Sequence, residues 1–247
     1  MIQDLHSHTY YSFCSNDAPE DVVKAAINGK IEVLGITDHN YGIAHGRRCV
    51  TFNTGDNIFS DYEKTLKRYF DHIDLIAQKY ADKIRILKGI ELCTSNIEKR
   101  FPFPTENDIS FFDYALIEHL DYQDSVMHGD LFEYAKNINC TLGVAHTDLF
   151  GFCEKNKIDP LEYFTRMATH GIFWEMNVNY DSIHNYREHE YVKKFFTDKN
   201  QQAIIKQSGI KLSVGFDGHK HIEYRPDRII NACNLLKQLN LPLVFNA

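Results

Sequence analysis

Residues 32–39 read EVLGITDH, a short apolar run that ends in two residues able to bind a metal ion. A run of this length, rich in apolar and β-branched residues, predicts a buried β-strand. Asp38 and His39 then follow the carboxyl end of that strand. The same order, a strand followed by a potential ligand, recurs along the chain and decides the predicted fold.

Longer helix-like stretches separate short apolar runs from one end of the chain to the other, which indicates βα units around a parallel sheet. We predict seven strands, at residues 2–6, 32–37, 84–92, 114–120, 141–146, 173–178 and 211–216. A late run at 241–245 is either an extra edge strand or a packed tail. Capping-box spacing marks three helix starts, at Ser60 with Glu63, Asp130 with Glu133, and Asp159 with Glu162.

The size and composition of the chain fit one α/β barrel. It has 247 residues, of which 43% are hydrophobic and 25% charged, and a barrel of about 250 residues is ordinary. We see no linker, repeat or low-complexity tract, so residues 1–247 are predicted to form a single domain. The irregular stretch 95–110, with Pro102 and Pro104, is predicted to be a long loop after a strand.

Charge and hydropathy exclude several classes of protein. The start of the chain has no signal-peptide pattern and no run is long and apolar enough for a membrane span, so we expect a cytoplasmic protein. The net charge of −7, without a Lys/Arg stripe, argues against extended nucleic-acid contact and leaves a small anionic substrate possible. The six cysteines are scattered, as expected for reduced thiols. Nothing in the sequence indicates the oligomeric state.

Each predicted strand carries a potential metal ligand at or near its carboxyl end, the functional face of such barrels. In strand order these are His6 and His8; Asp38 and His39; Glu91; His119; His146; Glu175; and Asp217 and His219. Taken singly, His119 or His146 could be a hydrogen-bonded core residue, and the role of Asp38 could be merely to orient His39. Their coincidence at one edge favours a metal centre. Mixed imidazoles and carboxylates suit zinc, manganese or iron, and their number implies several ions.

The ordered motifs HSH, TDH, GIE, EH, AH and DGH, spread from residue 6 to residue 219, resemble the PHP family, named for polymerase and histidinol phosphatase domains. The resemblance implies a distorted (β/α)7 barrel, similar to a TIM barrel, with a trinuclear metal centre and phosphoester hydrolysis. It implies one ion held by His6, His8, Glu91 and Asp217. It further implies a second ion, to which Glu91 bridges and which His119 and His146 complete, and a third held by His39 and His219.

Cys14 departs from this pattern, because the family commonly has His or Asp at that position to complete the third site. Three interpretations stay open: the Cys14 thiolate coordinates, Asp17 reaches in instead, or the third site is weak. Asp17 also has capping-box spacing with Glu20, which favours a helix-cap role. Glu175 and Asn177 resemble the family's sixth-strand motif and, with Asp38, are expected to orient ligands.

The resemblance implies two to three divalent ions and attack by a metal-bridging hydroxide. Glu91, Asp217 and His219 are the predicted catalytic residues, and Asp217, His219 or His184 is the candidate proton donor. Arg225, Arg228, Arg187 and His184 are the candidates for binding substrate phosphate.

The leading hypothesis is a phosphoesterase acting on a small phosphomonoester, with histidinol phosphate as the first candidate. A nucleotide or cyclic-phosphate phosphoesterase is the alternative within the family. An amidohydrolase-like deacylase is more remote, because no metal-bridging lysine can be placed. From a different class of function, a non-catalytic metal-binding regulatory module is the remaining alternative.

Overall fold

Seven parallel strands form the centre of the molecule in a computed structural model that describes residues 1–45, 62–96, 102–179 and 189–246. The strands are β1 (Gln3–Asp4), β2 (Val33–Ile36), β3 (Arg85–Cys93), β4 (Tyr114–Glu118), β5 (Thr141–Val144), β6 (Phe173–Asn177) and β7 (Leu212–Gly215). Their order in the sheet is their order in the chain, and each adjacent pair is parallel. All seven strands lie within, or within one residue of, the runs predicted from the sequence.

The sheet curves until its first and last strands meet. The Leu5 backbone N–H donates to the Val214 carbonyl at 2.8 Å, and the Asp217 N–H donates to the His6 carbonyl at the same distance. Ser7 and Gly218 form a parallel bridge beyond the ends of β1 and β7. These contacts make a nearly closed, TIM-like α/β barrel, as predicted.

Helices connect most of the strands. They are α1 (Pro19–Asn28), α2 (Asn40–His45), α3 (Tyr62–Lys79), α4 (Leu131–Ala135), α5 (Leu149–Asn156), α6 (Pro160–Thr169), α7 (Glu190–Thr197), α8 (Lys199–Ser208) and α9 (Pro226–Gln238). None of these helices is long and apolar enough to cross a membrane.

Helix caps confirm two of the predicted helix starts. The Asp130 carboxylate accepts from the Glu133 N–H at 3.0 Å, and the Asp159 carboxylate accepts from the Glu162 N–H at 2.9 Å. Ser60, of the third predicted box, lies outside the described residues.

The helix-cap role expected of Asp17 is wrong. Ala18 is the cap residue of α1, and no side chain caps that helix. Asp17 instead accepts a hydrogen bond from the His221 backbone N–H, and its Oδ2 lies 2.9 Å from His221 Nδ1. The carboxylate therefore joins the segment before α1 to the turn after β7.

The connection from β3 to β4 departs from the regular βα repeat. Within its described residues, 94–96 and 102–113, no helix occurs. The Phe103 N–H donates to the Cys93 carbonyl at 2.7 Å, and Ile109 and Phe112 are buried against the outer core. The prediction of an irregular loop over 95–110 thus agrees with the described part of this segment.

The lower half of the barrel interior, towards the amino ends of the strands, is apolar. We call this cluster the apolar plug; its buried members are Leu5, Val33, Leu87, Tyr114, Leu116, Ala145, Phe173 and Val244. The Tyr114 hydroxyl donates to the Leu5 carbonyl at 2.6 Å. A Cβ at Gly35 would lie 1.8 Å from that hydroxyl oxygen, so only glycine leaves room for the ring.

Residues 241–245, left open between edge strand and packed tail, form a tail that packs under β7. The Leu212 N–H donates to the Pro242 carbonyl at 2.9 Å, and the Val244 N–H donates to the Leu212 carbonyl at 2.8 Å. Val244 completes the plug, and Phe245 packs against its rings. The tail thus closes the end of the barrel opposite the predicted metal centre.

Candidate metal centre

Three residues just beyond the carboxyl ends of strands have left-handed backbone conformations. The φ angles are +67° at His119, +21° at His146 and +54° at Asp217, after β4, β5 and β7 respectively. This region is costly for residues other than glycine, and such strain clusters at functional sites. All three are predicted ligands, so the backbone is strained where the site was expected.

Glu91, in β3, lies at the centre of a cluster of imidazoles, which we call the main cluster. Its Oε1 is 3.3 Å from His6 Nε2 and 3.1 Å from His146 Nε2. Its Oε2 is 3.5 Å from His8 Nε2 and 2.9 Å from His39 Nδ1. Each carboxylate oxygen therefore faces a different pair of histidines, which is the arrangement of a carboxylate that bridges two cations.

Asp217 occupies the side of the main cluster nearest β1. Its Oδ1 lies 3.1 Å from His8 Nε2, 3.6 Å from His6 Nε2 and 3.7 Å from His219 Nε2. Cys14 enters the same region, since one ligand atom each from Cys14, His8 and His219 lie within 4.8 Å of one another. The structure thus brings the cysteine predicted as a ligand beside two predicted histidines.

Glu175 contacts two of these histidines at atoms that do not face Glu91. Its Oε1 lies 2.8 Å from His6 Nδ1, and its Oε2 accepts from the His146 backbone N–H at 2.7 Å. The Asn177 amide donates to the same Oε2 at 3.3 Å. A Cβ at Gly215 would lie 2.0 Å from Glu175 Oε1, so glycine there lets the carboxylate reach His6. Glu175 and Asn177 are the residues for which the sequence predicted an orienting role.

Asp38 orders the loop that follows β1. Its carboxylate accepts from the Thr9 N–H at 2.7 Å and from the Ser12 hydroxyl at 2.7 Å. The same Ser12 oxygen lies 3.2 Å from His8 Nδ1. Asp38 therefore positions His8 through Ser12, and it belongs to none of the groups whose ligand atoms converge.

The charges in the main cluster perturb one another strongly. Burial alone would lower the pKa of His146, but the hydrogen bond and charge of Glu91 outweigh it and raise that pKa to about 9. Burial likewise opposes the raised pKa of His6, which the carboxylates of Glu175, Glu91 and Asp217 cause. Despite burial, neighbouring imidazoles hold the pKa of Glu91 and of Asp217 well below its usual range. A bound cation would take the place of protons on the imidazoles and release them.

The residues present fit divalent cations. Imidazoles, carboxylates and a thiol are a donor set for zinc, iron or manganese rather than calcium. Glu91 Oε2 is buried and lies 2.9 Å from His39 Nδ1. Two buried ligand atoms this close to each other suit a shared cation.

Two histidines are shared among the four ligand groups of the main cluster. The four groups that form the main cluster each contain His6 or His8. His6 Nδ1 faces Glu175 and His8 Nδ1 faces Ser12, so each ring presents only Nε2 to the main cluster. Because one imidazole nitrogen binds one ion, two groups that share the same histidine cannot both be occupied at once.

The PHP domain model matches residues 4–225, nearly the whole chain. The chain belongs to the PHP domain family. Membership of this family, together with the clustered ligands, makes it a metal-dependent phosphoesterase, a hydrolase. No curated protein matches the chain significantly.

Three solved structures resemble this PHP chain. A histidinol phosphate phosphatase from Lactococcus lactis subsp. lactis, complexed with zinc, L-histidinol and phosphate, is 17% identical, with a TM-score of 0.61 over 98% of this chain and 95% of that chain. A candidate histidinol phosphatase from Listeria monocytogenes is 15% identical, with a TM-score of 0.40 over 98% of this chain and 93% of that chain. An archaeal ribonuclease P with mature tRNA is 14% identical, with a TM-score of 0.44 over 96% of this chain and 91% of that chain. The first likeness shows the fold, and the other two are too distant to add to it.

Two predicted ligands lie in groups other than those that the PHP resemblance implied. His39 groups with His8 and Glu91 rather than with His219. His119 groups with Cys93 and Glu118 rather than with Glu91 and His146.

Sequence reasoning did not single out Cys93 or Glu118, although signals for both were available. Cys93 is two residues after Glu91 on one strand, and Glu118 directly precedes His119 in the EH motif. Residues two apart on a strand share a face, so Cys93 could have been expected on the side of Glu91.

The phosphate-binding candidates of this PHP protein differ in position. The Arg228 guanidinium donates to the Val178 carbonyl at 3.5 Å, which places it beside the carboxyl end of β6. Arg225 is exposed and forms a two-pronged pair with Asp227, at 3.0 and 2.9 Å. Arg187 and His184 lie outside the described residues.

Proposed function

We propose that the chain hydrolyses a small phosphomonoester with the help of two to three zinc, manganese or iron ions, and that histidinol phosphate is the first substrate to test. The observation that carries this proposal is the position of Glu91. Its two oxygens face different histidine pairs, His6 with His146 and His8 with His39. A carboxylate that bridges two cations is the core of many phosphate-hydrolysing centres.

Bound cations would neutralise phosphate oxygens and lower the pKa of a water molecule that attacks phosphorus. The protein's own contribution is then to fix the ligands. Glu175 sets the ring of His6, Ser12 sets that of His8, and the carboxylates of Glu91 and Asp217 face the imidazoles. Such outer support keeps the ligand atoms in place before substrate arrives.

His219 is the residue we assign to protonate the leaving alkoxide. Asp217 is almost fully buried and its Oδ1 faces three imidazoles, which suits a ligand. The His219 side chain is 11% exposed and lies at the rim of the same cluster, where a leaving group can meet it. A positioned histidine contributes about 10²- to 10⁴-fold as a general acid.

Of the two candidate arginines that the structure describes, Arg228 is the better placed for the substrate phosphate. Its guanidinium lies beside the carboxyl end of β6, and a planar guanidinium matches phosphate oxygens. Arg225 is a weaker candidate because Asp227 already engages its donors. Arg187 and His184 remain candidates from the sequence alone. The Lactococcus lactis neighbour was complexed with L-histidinol and phosphate, which supports histidinol phosphate as the first substrate.

The test is phosphate release by protein reconstituted separately with zinc, manganese and iron. The substrates are histidinol phosphate, a nucleoside monophosphate and a cyclic nucleotide. We expect the highest kcat/KM with histidinol phosphate. A preference for either nucleotide would reassign the substrate within the family, and no phosphate release with any cation would indicate a metal-binding regulatory module.

The His219→Asn variant tests the proton donor, and bound metal is measured beside activity because His219 also groups with His8 and Cys14. We expect kcat to fall by about 100-fold or more, while the chain still binds the metal ions held by Glu91 and its histidines. An aryl phosphate whose leaving group needs no proton should restore most of the lost rate. Equal losses on both substrates would contradict the assignment of His219.

A further inference from the structure

The segment after β7, residues 218–224, carries His219 and is called the His219 turn below. Its middle is not held by apolar packing, since none of residues 221–223 is buried and Ile222 is 78% exposed. Two carboxylates from the start of the chain bind this turn instead. We propose that these carboxylates, Asp17 and Asp4, are positioning residues that hold His219 at the rim of the main cluster. The inference deepens the proposed function and rests on the role given there to His219.

The position of the His219 imidazole depends on the path of this turn. Gly218 is tied to the start of the chain, because its carbonyl accepts from the His8 N–H at 2.9 Å and it forms a bridge with Ser7. His219 follows in a stretch that is neither helix nor strand. Its ring stacks on that of His8, with centroids 4.7 Å apart. A shift of the turn would therefore move the His219 ring relative to the main cluster.

Asp17 binds the solvent-exposed part of the turn. Its carboxylate accepts a hydrogen bond from the His221 backbone N–H, and its Oδ2 lies 2.9 Å from His221 Nδ1. Asp17 is itself fixed, because its carbonyl accepts from the Tyr10 N–H at 2.8 Å and closes a loop. That loop also carries Cys14, whose ligand atom lies close to that of His219. Asp17 thus ties the turn to a loop that borders the same side of the main cluster.

Asp4 binds the turn from inside the protein. Its carboxylate is fully buried, and its Oδ2 accepts from the Tyr224 hydroxyl at 2.7 Å. Its Oδ1 accepts from the Phe216 N–H at 2.9 Å, just ahead of the turn. The Tyr224 ring also meets that of Phe216 edge-on, with centroids 5.3 Å apart. One buried carboxylate therefore bonds to residues on either side of His219.

Local hydrogen bonds cannot replace these two contacts. Those within the turn lie beyond His219, between residues 220 and 223 and between residues 221 and 224. They shape the turn but do not place it relative to the barrel. Asp17 and Asp4 do so through contacts 204 and 220 residues apart in the sequence. A proton donor must lie within hydrogen-bond reach of the leaving atom, and a misplacement of about 1 Å can cost about 100-fold in rate.

A displaced proton donor has a specific kinetic signature. An alkyl phosphate needs a proton on its leaving oxygen, whereas p-nitrophenyl phosphate has a leaving group that needs none. Loss of Asp17 or of the Tyr224 hydroxyl should therefore slow the alkyl substrate and spare the aryl substrate. A general loosening of the barrel or of the metal ligands would slow both substrates.

The experiment measures kcat at saturating cation for p-nitrophenyl phosphate and for an alkyl phosphate. The alkyl substrate is whichever of histidinol phosphate and the nucleoside monophosphate is hydrolysed faster, since both leave as alkoxides. Elemental analysis gives the bound metal, and urea unfolding establishes that each variant is folded. The matched control is Glu20→Gln, which removes an ion pair with Lys79 between α1 and α3, outside the turn.

Three single variants remove the contacts to different extents. Asp17→Ala removes both contacts to His221, and Asp17→Asn keeps an oxygen that can accept from the His221 N–H. Tyr224→Phe removes only the hydroxyl that binds Asp4 and leaves the other hydrogen bonds of that buried carboxylate in place. The double variant Asp17→Ala/Tyr224→Phe removes the contacts of both carboxylates to the turn.

We expect Asp17→Ala and Tyr224→Phe each to lower kcat for the alkyl substrate by about 10-fold, with kcat for p-nitrophenyl phosphate nearly unchanged. Asp17→Asn should lose less than Asp17→Ala. The double variant should lose more than the product of the two single losses, because each contact supports the turn when the other is gone. Glu20→Gln should match the unaltered chain.

Equal losses on both substrates, or no loss in either single variant and the double variant, would overturn the inference. His219→Asn is measured in parallel to separate this failure from that of the proposed function. A selective loss in His219→Asn beside unselective tether variants overturns only the roles of Asp17 and Asp4. Equal losses on both substrates in His219→Asn overturn the role of His219 and this inference together.

Discussion

The two halves of the barrel interior are built from the same strands but stabilised in opposite ways. The apolar plug packs rings and aliphatic side chains against the chain's tail, with Tyr114, Phe173 and Val244 as its centre. The main cluster, at the other end, places the almost fully buried Glu91 and Asp217 among imidazoles. The apolar plug stabilises the fold by excluding water, whereas the main cluster holds buried charges that must be compensated by one another or by a cation.

The energetics of the two halves differ in sign. Burying one large apolar side chain contributes about 1.5–3 kcal/mol, so the plug favours folding outright. Taking a carboxylate or an imidazolium out of water costs several kcal/mol per ion before any partner compensates. Burying the charges of the main cluster therefore opposes folding, and the apolar packing of the rest of the barrel offsets that cost. Substitutions in the plug should change stability alone, and substitutions in the main cluster should act through metal.

The plug variant Phe173→Ala should have the largest effect. Phe173 fills the space that Gly143 leaves, because a Cβ on Gly143 would lie 2.3 Å from its ring. Loss of this ring should lower the free energy of unfolding by about 3–5 kcal/mol, as measured by urea denaturation. The loss should be equal with and without a chelator. A loss that disappears on metal removal would break the distinction between the two halves.

Glu91→Gln should have the next largest effect, and it should fall on metal binding and activity. An amide keeps the size of the side chain but removes the charge that faces four histidines. We expect kcat/KM of reconstituted protein to fall by more than about 100-fold, beyond the loss typical of outer residues. Retention of both full activity and full metal content would show that Glu91 bridges nothing.

Glu175→Gln should have an intermediate effect, because Glu175 touches the ligands rather than the cation. It holds His6 Nδ1 at 2.8 Å and the His146 N–H at 2.7 Å. Metal affinity should fall by about 10- to 100-fold, as measured by competition with a chromogenic chelator. Glu162→Gln, on the surface of α6, is the matched control. Equal affinities in the two variants would remove the orienting role.

Asp159→Ala should have the smallest effect and lies outside both halves. Its carboxylate caps α6 by accepting from the Glu162 N–H. The variant should lose about 1 kcal/mol of stability in thermal or urea unfolding, while metal content stays the same. Asp159→Asn, which keeps a capping oxygen, should lose less. A change in metal content would mean that the outer helices influence the main cluster directly.

Sequence reasoning reached the architecture because the signals for it are local and repeated. Apolar runs placed all seven strands, and the capping boxes at Asp130 and Asp159 placed the starts of two helices. Asp17 had the same spacing with Glu20 and failed, because its carboxylate binds the distant His221 instead. The spacing of two residues in the sequence does not reveal whether a distant residue competes for the same carboxylate.

The composition of the site was harder to predict than its location. Parallel strands bring their carboxyl ends together, so the alternation alone placed His6, Glu91 and Asp217 at one edge. Cys93 and Glu118 end paired strands at the same edge, so their positions could have been predicted. The left-handed backbone at His119, which brings its imidazole close to Glu118, could not. Backbone strain of this kind leaves no pattern in a single sequence.

The most direct test of the account is the number of divalent cations bound per chain. Protein reconstituted with zinc and dialysed to remove the excess is assayed by elemental analysis against protein concentration. The convergence of four histidines on Glu91 predicts at least two ions per chain. One ion or fewer in folded protein would contradict the central claim that this end of the barrel is a multinuclear metal centre.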